Sequence, residues 1–147
     1  MKPLRQRLAR RAAIVALGLF ALGLLHGCAI EYRPAPFWGA AGYTERERDR
    51  NVFRVSYLSG RTSLPNMLEP FALYRCAELT RERGFERFAV LDTHAQGANY
   101  VTNTWASLAY TIELLQGGNE KYAGKPARVY DAREVLDRYR ASVKPDA

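Results

Sequence analysis

ALYRCAELTRERGFERFAVLD, residues 72–92, contains the three local signals that decide the fold: an amphipathic helix, a stop and a strand. At about 100° per residue, the apolar side chains of the first part share one half of the helix and the charged ones share the other. Gly84 then suits the left-handed conformation that commonly ends a helix. Residues 85–92 follow as an apolar segment of strand length, so helix, stop and strand are predicted in that order.

The helix that contains this stretch is predicted to cover residues 66–83. Asn66 is suited to the N-cap position, and Glu69 three residues later completes the sequence pattern of a capping box. Pro70 then falls in the first turn, where its missing N–H group costs least.

Other strands and a second helix are predicted on either side of this stretch. Residues 52–59 and residues 105–115 alternate between apolar and polar side chains, which indicates strands with one buried face. Residues 128–130 predict a short edge strand. Asp131 is predicted to be the N-cap of a last helix, with Glu134 three residues later.

The predicted element order is β-α-β-β-(β)-α, which indicates an α+β fold. We expect a small mixed sheet of three to four strands with two helices packed on one face. The strands at residues 52–59 and 85–92 flank the main helix, so a right-handed parallel crossover is expected between them. The strands at residues 85–92 and 105–115 are expected to pair in antiparallel orientation.

The N-terminal residues have the pattern of an export signal. Residues 1–11 carry five basic and no acidic side chains, and residues 12–25 carry no charge. A helix over the uncharged run is about 21 Å long, which is short for a hydrocarbon core about 30 Å thick. A basic start, a short apolar run and a small residue before a cleavage point are typical of signal peptides.

The end of that segment, Leu25-His26-Gly27-Cys28, resembles the lipobox of bacterial lipoprotein signals. The resemblance implies cleavage between Gly27 and Cys28 and attachment of palmitate-type acyl chains to Cys28. His26 departs from the pattern, since a small or aliphatic residue is usual there. Ala29 follows the cysteine in place of Asp, which by the same resemblance favours the outer membrane over the inner membrane. The alternatives are an uncleaved anchor helix and a plain secretory signal with an incidental cysteine.

These patterns predict three parts of the chain. Residues 1–27 form a lipoprotein signal peptide, residues 28–50 a lipidated cysteine with a flexible tether, and residues 51–147 a single α+β domain. Prolines, glycines and the sign-alternating charges of residues 45–50 favour the tether. Two or three acyl chains on one cysteine would hold the protein on a membrane durably, because a single chain binds only marginally.

The net charge of the whole chain suggests an anionic partner, but most of that charge lies in the leader. The 147 residues carry a net charge of +7, with 22 basic and 15 acidic residues. Cleavage before Cys28 removes five basic residues and leaves 17, so the mature chain is nearly neutral. Nucleic acid is therefore not expected as a partner.

Residues 42–140 carry a family resemblance. Its matching residues are Gly42-Tyr43, FRVSY at residues 53–57, the stretch 72–92, and Tyr130-Asp131-Ala132 before a helix. They are similar to a family of small bacterial envelope lipoproteins that has no assigned activity. The resemblance implies a lipid-anchored protein that faces the periplasm.

The sequence contains no recognisable catalytic, cofactor-binding or metal-binding constellation. Cys76 lies on the apolar half of the main helix, which favours core packing over reactivity. His94 has Asp92 as a neighbour, but a zinc site needs three or four ligands. Gly117-Gly118 precedes Asn119 and Glu120 and not the lysine of a phosphate loop. We therefore predict a protein without cofactors that is not an enzyme.

Residues 93–104 are predicted to form a polar loop that leads into a strand. Binding residues concentrate on loops held by a rigid scaffold, so this loop is the first candidate for a ligand or partner site. A solvated hairpin loop is the alternative. The candidate residues are His94, Gln96, Asn99, Tyr100 and Trp105.

The prediction for function is a membrane-anchored, non-enzymatic structural or interaction module of the bacterial cell envelope. Its expected partners are the membrane, through acyl chains on Cys28, and an envelope protein or cell-wall component. The alternative is a periplasmic lipoprotein that binds a small ligand or a metal through the loop around His94 and Tyr100.

Overall fold

The computed structural model describes residues 30–37, 39–60, 64–99, 101–102, 104–117 and 128–144. The chain divides into two units, Met1–Ile30 and Glu31–Ala147. The lipobox, the cleavage point at Gly27-Cys28 and the apolar leader lie outside the described residues. Within the ranges described, no helix is long and apolar enough to cross a membrane.

A five-stranded antiparallel sheet forms the centre of the second unit, in the order β1-β2-β4-β3-β5. The strands are β1 (Gly42–Asp49), β2 (Val52–Leu58), β3 (Arg87–Gln96), β4 (Ser107–Leu115) and β5 (Arg128–Asp131). Two helices accompany the sheet, α1 (Glu69–Glu82) and α2 (Ala132–Val143), and a 3₁₀ turn, Pro65–Leu68, leads into α1.

The predicted α+β class is confirmed, whereas the details of the sheet differ from the prediction. The sheet has five strands and is antiparallel throughout, not a mixed sheet of three to four strands. The strands on either side of the main helix are parallel, as the predicted crossover requires, but they are not neighbours, because β4 inserts between β2 and β3. Since both are antiparallel to β4, β2 and β3 run in the same direction without pairing. The antiparallel pairing of β3 with β4 is confirmed.

β1 is the strand that the sequence prediction missed. The prediction of a flexible tether through residue 50 was wrong for residues 42–49, which pair with β2 along their length. The chain before β1 is also fixed, because Pro34 forms a bridge with Tyr43 and the Tyr57 hydroxyl donates to the Glu31 carbonyl. Gly42 permits this close approach: a Cβ there would lie 2.6 Å from the Arg33 carbonyl oxygen.

Of the two predicted N-terminal caps, the structure forms the one at Asp131 and not the one at Asn66. The predicted capping box at Asn66 is not formed, since Leu68 is the N-cap of α1 and no side chain caps the helix. The 3₁₀ turn occupies the predicted first turn, and Pro70 lies in the first turn of α1, where its missing N–H group is tolerated. Asp131 caps α2 as predicted, because its Oδ1 accepts from the Arg133 and Glu134 amides at 2.9 and 3.1 Å.

The core lies between α1 and the sheet. Helix α1 packs on β2, β4 and β3, and α2 packs against α1 and β5. The side chains that are less than 2 % exposed come mainly from these layers: Val55, Tyr57, Leu68, Leu73, Cys76, Leu79, Thr80, Phe88 and Ile112. This core fixes the positions of the strand ends around it.

Candidate functional site

β3 changes its surroundings half-way along its length. Residues 87–90 pair with β4 on one edge and with β5 on the other. A register shift between Val90 and Asp92 places a bulge at Leu91. From there to Gln96 the strand pairs only with β4 among the described strands, and all six residues are exposed. We call residues 91–96 the open half of β3.

A groove of about 550 Å³ lies beside the open half of β3, on the face of the sheet that carries α1. Thr93 and Ala95 form one wall, and Tyr110 and Tyr130 contribute from the neighbouring strands. The remaining lining residues come from the start of α1 and the surrounding strands: Pro65, Asn66, Glu69, Val90, Leu91, Asp92, Leu108 and Arg128. Its volume lies within the usual range of binding clefts, which is about 300–1,000 Å³.

The groove combines apolar surface with hydrogen-bonding groups of both signs. Glu69 supplies a carboxylate, and Arg128 supplies a guanidinium group. Burial raises the pKa of Tyr110, so its hydroxyl keeps its proton at neutral pH. Such a lining suits a partner that has both apolar and polar side chains.

The open half of β3 adds backbone groups to this lining. An unpaired strand edge presents a row of N–H and C=O groups, which another extended chain can pair with. Alternate side chains of an added strand would then point towards the groove, since successive side chains lie on opposite faces. A strand edge with no partner among the described strands lies beside a side-chain groove here, and β-strand addition uses both features.

The predicted candidate loop is shorter than expected. His94 and Gln96 belong to β3, because its pairing with β4 continues as far as Gln96 and Ser107. The prediction that the loop begins at residue 93 was therefore wrong. Thr93 and Ala95 line the groove, so the alternation of the strand turns His94 and Gln96 to the opposite face.

The rest of the candidate loop is closed by its own hydrogen bonds. The Asn99 side-chain oxygen accepts from the amides of Val101 and Thr102 at 2.9 and 3.2 Å. Asn99 and Thr104 also exchange two backbone hydrogen bonds. Trp105 is half-buried, and Tyr100 lies outside the described residues. A ligand site in this loop stays a prediction.

Cys76 is the cysteine of the described part of the chain, and it lies in the core. Cys76 is fully buried, which confirms its predicted place in the core, and burial raises the pKa of its thiol. Within the described ranges, no group of three or more His, Cys, Asp or Glu residues is arranged to hold a metal ion.

The sequence analysis missed a network of charged and aromatic side chains centred on Arg75, which we call the Arg75 cluster. Arg75 is 7 % exposed although it lies on the predicted polar side of α1. Its guanidinium group donates to Glu45 at 2.9 Å, to Glu82 at 2.7 Å and to Glu78 at 3.2 Å. Burial opposes its charge, but the hydrogen bonds to Glu82 and Glu45 outweigh burial and raise the pKa of Arg75.

Glu78 joins the Arg75 cluster to α2 and to the N-terminal segment. Its carboxylate accepts from Lys144 Nζ at 2.7 Å and from the Tyr32 hydroxyl. Burial acts to raise the pKa of Glu78, but the bonds from Lys144, Tyr32 and Arg75 together lower it. The Lys144 ammonium group also lies 5.3 Å from the ring centroid of Tyr74. The cluster therefore fastens three separate segments to one side of α1.

Comparisons with known proteins assign no relative. No family model matches the chain, and neither the curated proteins nor the solved structures give a significant match. The resemblance to envelope lipoproteins stays a prediction from the residues that carry it. The sequence of the leader and the geometry of the groove are therefore the observations that bear on function.

Proposed function

We propose that this protein is a lipid-anchored, non-enzymatic interaction module of the bacterial cell envelope. In this proposal the open half of β3 and the adjoining groove receive an extended segment of an envelope partner. The observation that carries the proposal is the six-residue exposed stretch of β3 beside a groove of about 550 Å³.

The chemistry of the groove indicates what kind of segment it would receive. Main-chain pairing along the open half would supply affinity without regard to sequence, and the groove would select alternate side chains. Ala95 and Leu108 favour an apolar side chain at one position, and Glu69 favours a basic or hydroxyl-bearing one at another. The expected partner is an extended, mixed-polarity segment of a protein.

The leader supplies the other half of the proposal. Acyl chains on Cys28 would confine the protein to a membrane surface, in the periplasm-facing leaflet and with the outer membrane favoured by Ala29. Confinement to a surface raises the effective concentration of a partner in the same membrane, so an interaction of modest affinity is sufficient.

Capture of a partner from crosslinked membranes tests the groove directly. The full-length protein is expressed in its own cells, membranes are crosslinked, and captured proteins are compared between the wild type and Thr93→Trp. Thr93 is exposed and lines the groove, and tryptophan is well accepted in strands. We expect the substitution to fill the groove and to remove the specific partner.

His94→Trp is the matched control, because His94 is the next residue of the same strand and lies on the opposite face. It introduces the same bulk at an equally exposed position. Capture that is lost with Thr93→Trp and kept with His94→Trp supports the groove as the binding surface. Equal capture by both variants, or no specific capture by the wild type, refutes the proposed interaction.

A further inference from the structure

The strand β1 separates its charges by sign. The sequence Glu45-Arg46-Glu47-Arg48 alternates in sign and was predicted to belong to the flexible tether. Because successive side chains of a strand point to opposite faces, the same alternation places the acidic side chains on one face and the basic ones on the other. Glu45 reaches Arg75 on the face that carries α1.

The other face of the β1–β2 hairpin carries three arginines, which we call the arginine face: Arg46, Arg48 and Arg54. They surround a shallow cavity of about 210 Å³ together with Thr44, Ser56 and Glu45, whose carboxylate is engaged by Arg75 on the other face of the sheet. Arg46 lies directly opposite Arg54 in the register of β1 and β2. Two like charges in opposite positions repel each other and destabilise a hairpin.

Among the residues that the structure describes, no carboxylate forms an ion pair with Arg46, Arg48 or Arg54. The ion pairs formed by the described acidic residues engage other cations, and the ion pair of β1 is the one between Glu45 and Arg75. A guanidinium group binds phosphate oxygens through two parallel hydrogen bonds, and hydroxyl groups add further donors. The arginine face therefore has the chemistry of a phosphate-binding surface.

We propose that the arginine face binds the phosphate groups of anionic lipid headgroups on the membrane that holds the protein. The inference rests on the membrane attachment in the proposed function and adds the side of the domain that meets the lipid. Basic side chains close to an anionic membrane surface each contribute about 1 kcal/mol of attraction, which is about a five-fold change in an equilibrium constant.

The length of chain beyond the described domain keeps the lipid within reach. Ala29 and Ile30 alone separate Cys28 from Glu31, and three residues span at most about 10 Å. The Glu31 carbonyl is held by the hydroxyl of the buried Tyr57, whose ring contacts Phe71 on the face that carries α1. Tyr57 pairs with Tyr43 at the start of β1, and Arg46 lies three residues further along that strand, or about 10 Å, with its side chain on the other face. An acyl anchor at Cys28 thus holds the β1–β2 hairpin near the membrane surface, and in this proposal the charge of the arginine face decides which face turns towards the lipid.

A fluorescent reporter beside the arginine face tests the proposal. The full-length protein with Thr111→Cys is labelled with a polarity-sensitive thiol dye and reconstituted into vesicles. Thr111 pairs with Arg54 in the sheet, and the native Cys76 is fully buried. We expect a blue shift of the dye in vesicles that contain phosphatidylglycerol, relative to phosphatidylcholine alone, and its reversal by salt.

Two matched controls separate docking from general charge effects. A dye at Thr93→Cys, on the opposite face of the sheet, is expected to show no lipid-dependent shift. Arg46→Gln with Arg54→Gln should lower the docked fraction about five-fold for each arginine removed. Arg133→Gln with Arg138→Gln removes the same charge from exposed positions of α2 and should leave the shift unchanged.

The possible outcomes distinguish this inference from its rivals. An equal emission in both lipids, or a shift that survives in the Arg46→Gln, Arg54→Gln variant, refutes it. A shift that inorganic phosphate abolishes at constant ionic strength assigns the arginine face to a soluble anion and refutes the membrane assignment. An unmodified Cys28 in mass spectrometry refutes the acyl anchor itself, whereas an acylated protein without the shift refutes the arginine-face proposal alone.

Discussion

The two halves of β3 belong to one continuous strand but have opposite surroundings. Residues 87–90 are paired on both edges, and Phe88 and Ala89 are fully buried. Residues 91–96 are paired on one edge among the described strands and are exposed throughout. The bulge at Leu91 separates the two halves.

This difference indicates how one strand could combine stability with the binding proposed above. The buried half contributes apolar area removed from water, at about 25 cal/mol per Å², together with hydrogen bonds on both edges. The open half buries little apolar area and contributes little to stability. Substitutions in the first half should therefore change stability, and substitutions in the second half should change binding.

The largest expected effect is that of Phe88→Ala in the buried half. Phe88 is fully buried and stacks on Tyr130 with ring centroids 5.3 Å apart. Removing a buried phenyl ring leaves a cavity and costs about 3–5 kcal/mol. Urea denaturation followed by tryptophan fluorescence should show this loss in the free energy of unfolding. A loss below about 1 kcal/mol would contradict the tight packing of this half.

Arg75→Ala should have the next largest effect. It leaves Glu45, Glu78 and Glu82 without their shared cation in a partly buried site. Breaking a buried ion pair from one side costs about 3–5 kcal/mol, and the exposure of Glu82 places this case near the lower end. Arg81→Ala, on an exposed position of α1, is the control and should cost at most about 0.5 kcal/mol. An equal decrease in the free energy of unfolding for Arg75→Ala and Arg81→Ala would show that the Arg75 cluster does not stabilise the fold.

Acid should destabilise the protein through Glu78. Its pKa lies below the ordinary value of 4.5 in the folded state, so folding favours the carboxylate over the protonated form. The resulting stability is present above the unfolded pKa and is lost as pH falls through the folded pKa. When the pH is lowered from neutral to below 4.5, the midpoint temperature of thermal unfolding should therefore fall less for Glu78→Gln than for the wild type. Identical pH profiles would exclude Glu78 as a source of acid sensitivity.

The smallest expected effect on stability is that of Leu91→Ala in the open half. Leu91 is 45 % exposed, and a substitution away from the core usually changes the free energy of unfolding by no more than about 0.5 kcal/mol. Compared with Phe88→Ala in the same denaturation series, this variant measures the difference between the two halves of β3. A cost above about 2 kcal/mol would mean that residues 91–96 are structural.

Local signals in the sequence predicted the elements that have an apolar face. The main helix, its stop at Gly84, the Asp131 cap and four of the five strands follow from periodicity and capping over a few residues. β1 was missed because its alternating charges have no apolar face, and such a run is equally compatible with a solvated loop. The insertion of β4 between β2 and β3 depends on pairing between distant residues, which no local pattern specifies.

The candidate site was harder to predict than the fold. The groove is built from several elements, and no two of them form a recognisable motif. The polar character of residues 93–96 indicated a loop, but pairing with β4 keeps them in a strand. The hydrogen bond between Arg75 and Glu45 joins residues 30 positions apart in the sequence, and the one between Lys144 and Glu78 joins residues 66 positions apart. The spacing of Arg75, Glu78 and Glu82 on one side of α1 was the one local signal for that cluster.

Photo-crosslinking in intact cells tests most directly whether the open half of β3 is the binding surface. A photoreactive amino acid with a small aliphatic diazirine side chain, which leaves the groove open, replaces Thr93 in the full-length protein, and the same substitution at the exposed Arg138 of α2 serves as control. We predict one defined protein adduct from position 93 that disappears when Ala95→Trp fills the groove, and no such adduct from position 138. The same adducts from both positions, or an adduct at position 93 that persists with Ala95→Trp, would contradict the account.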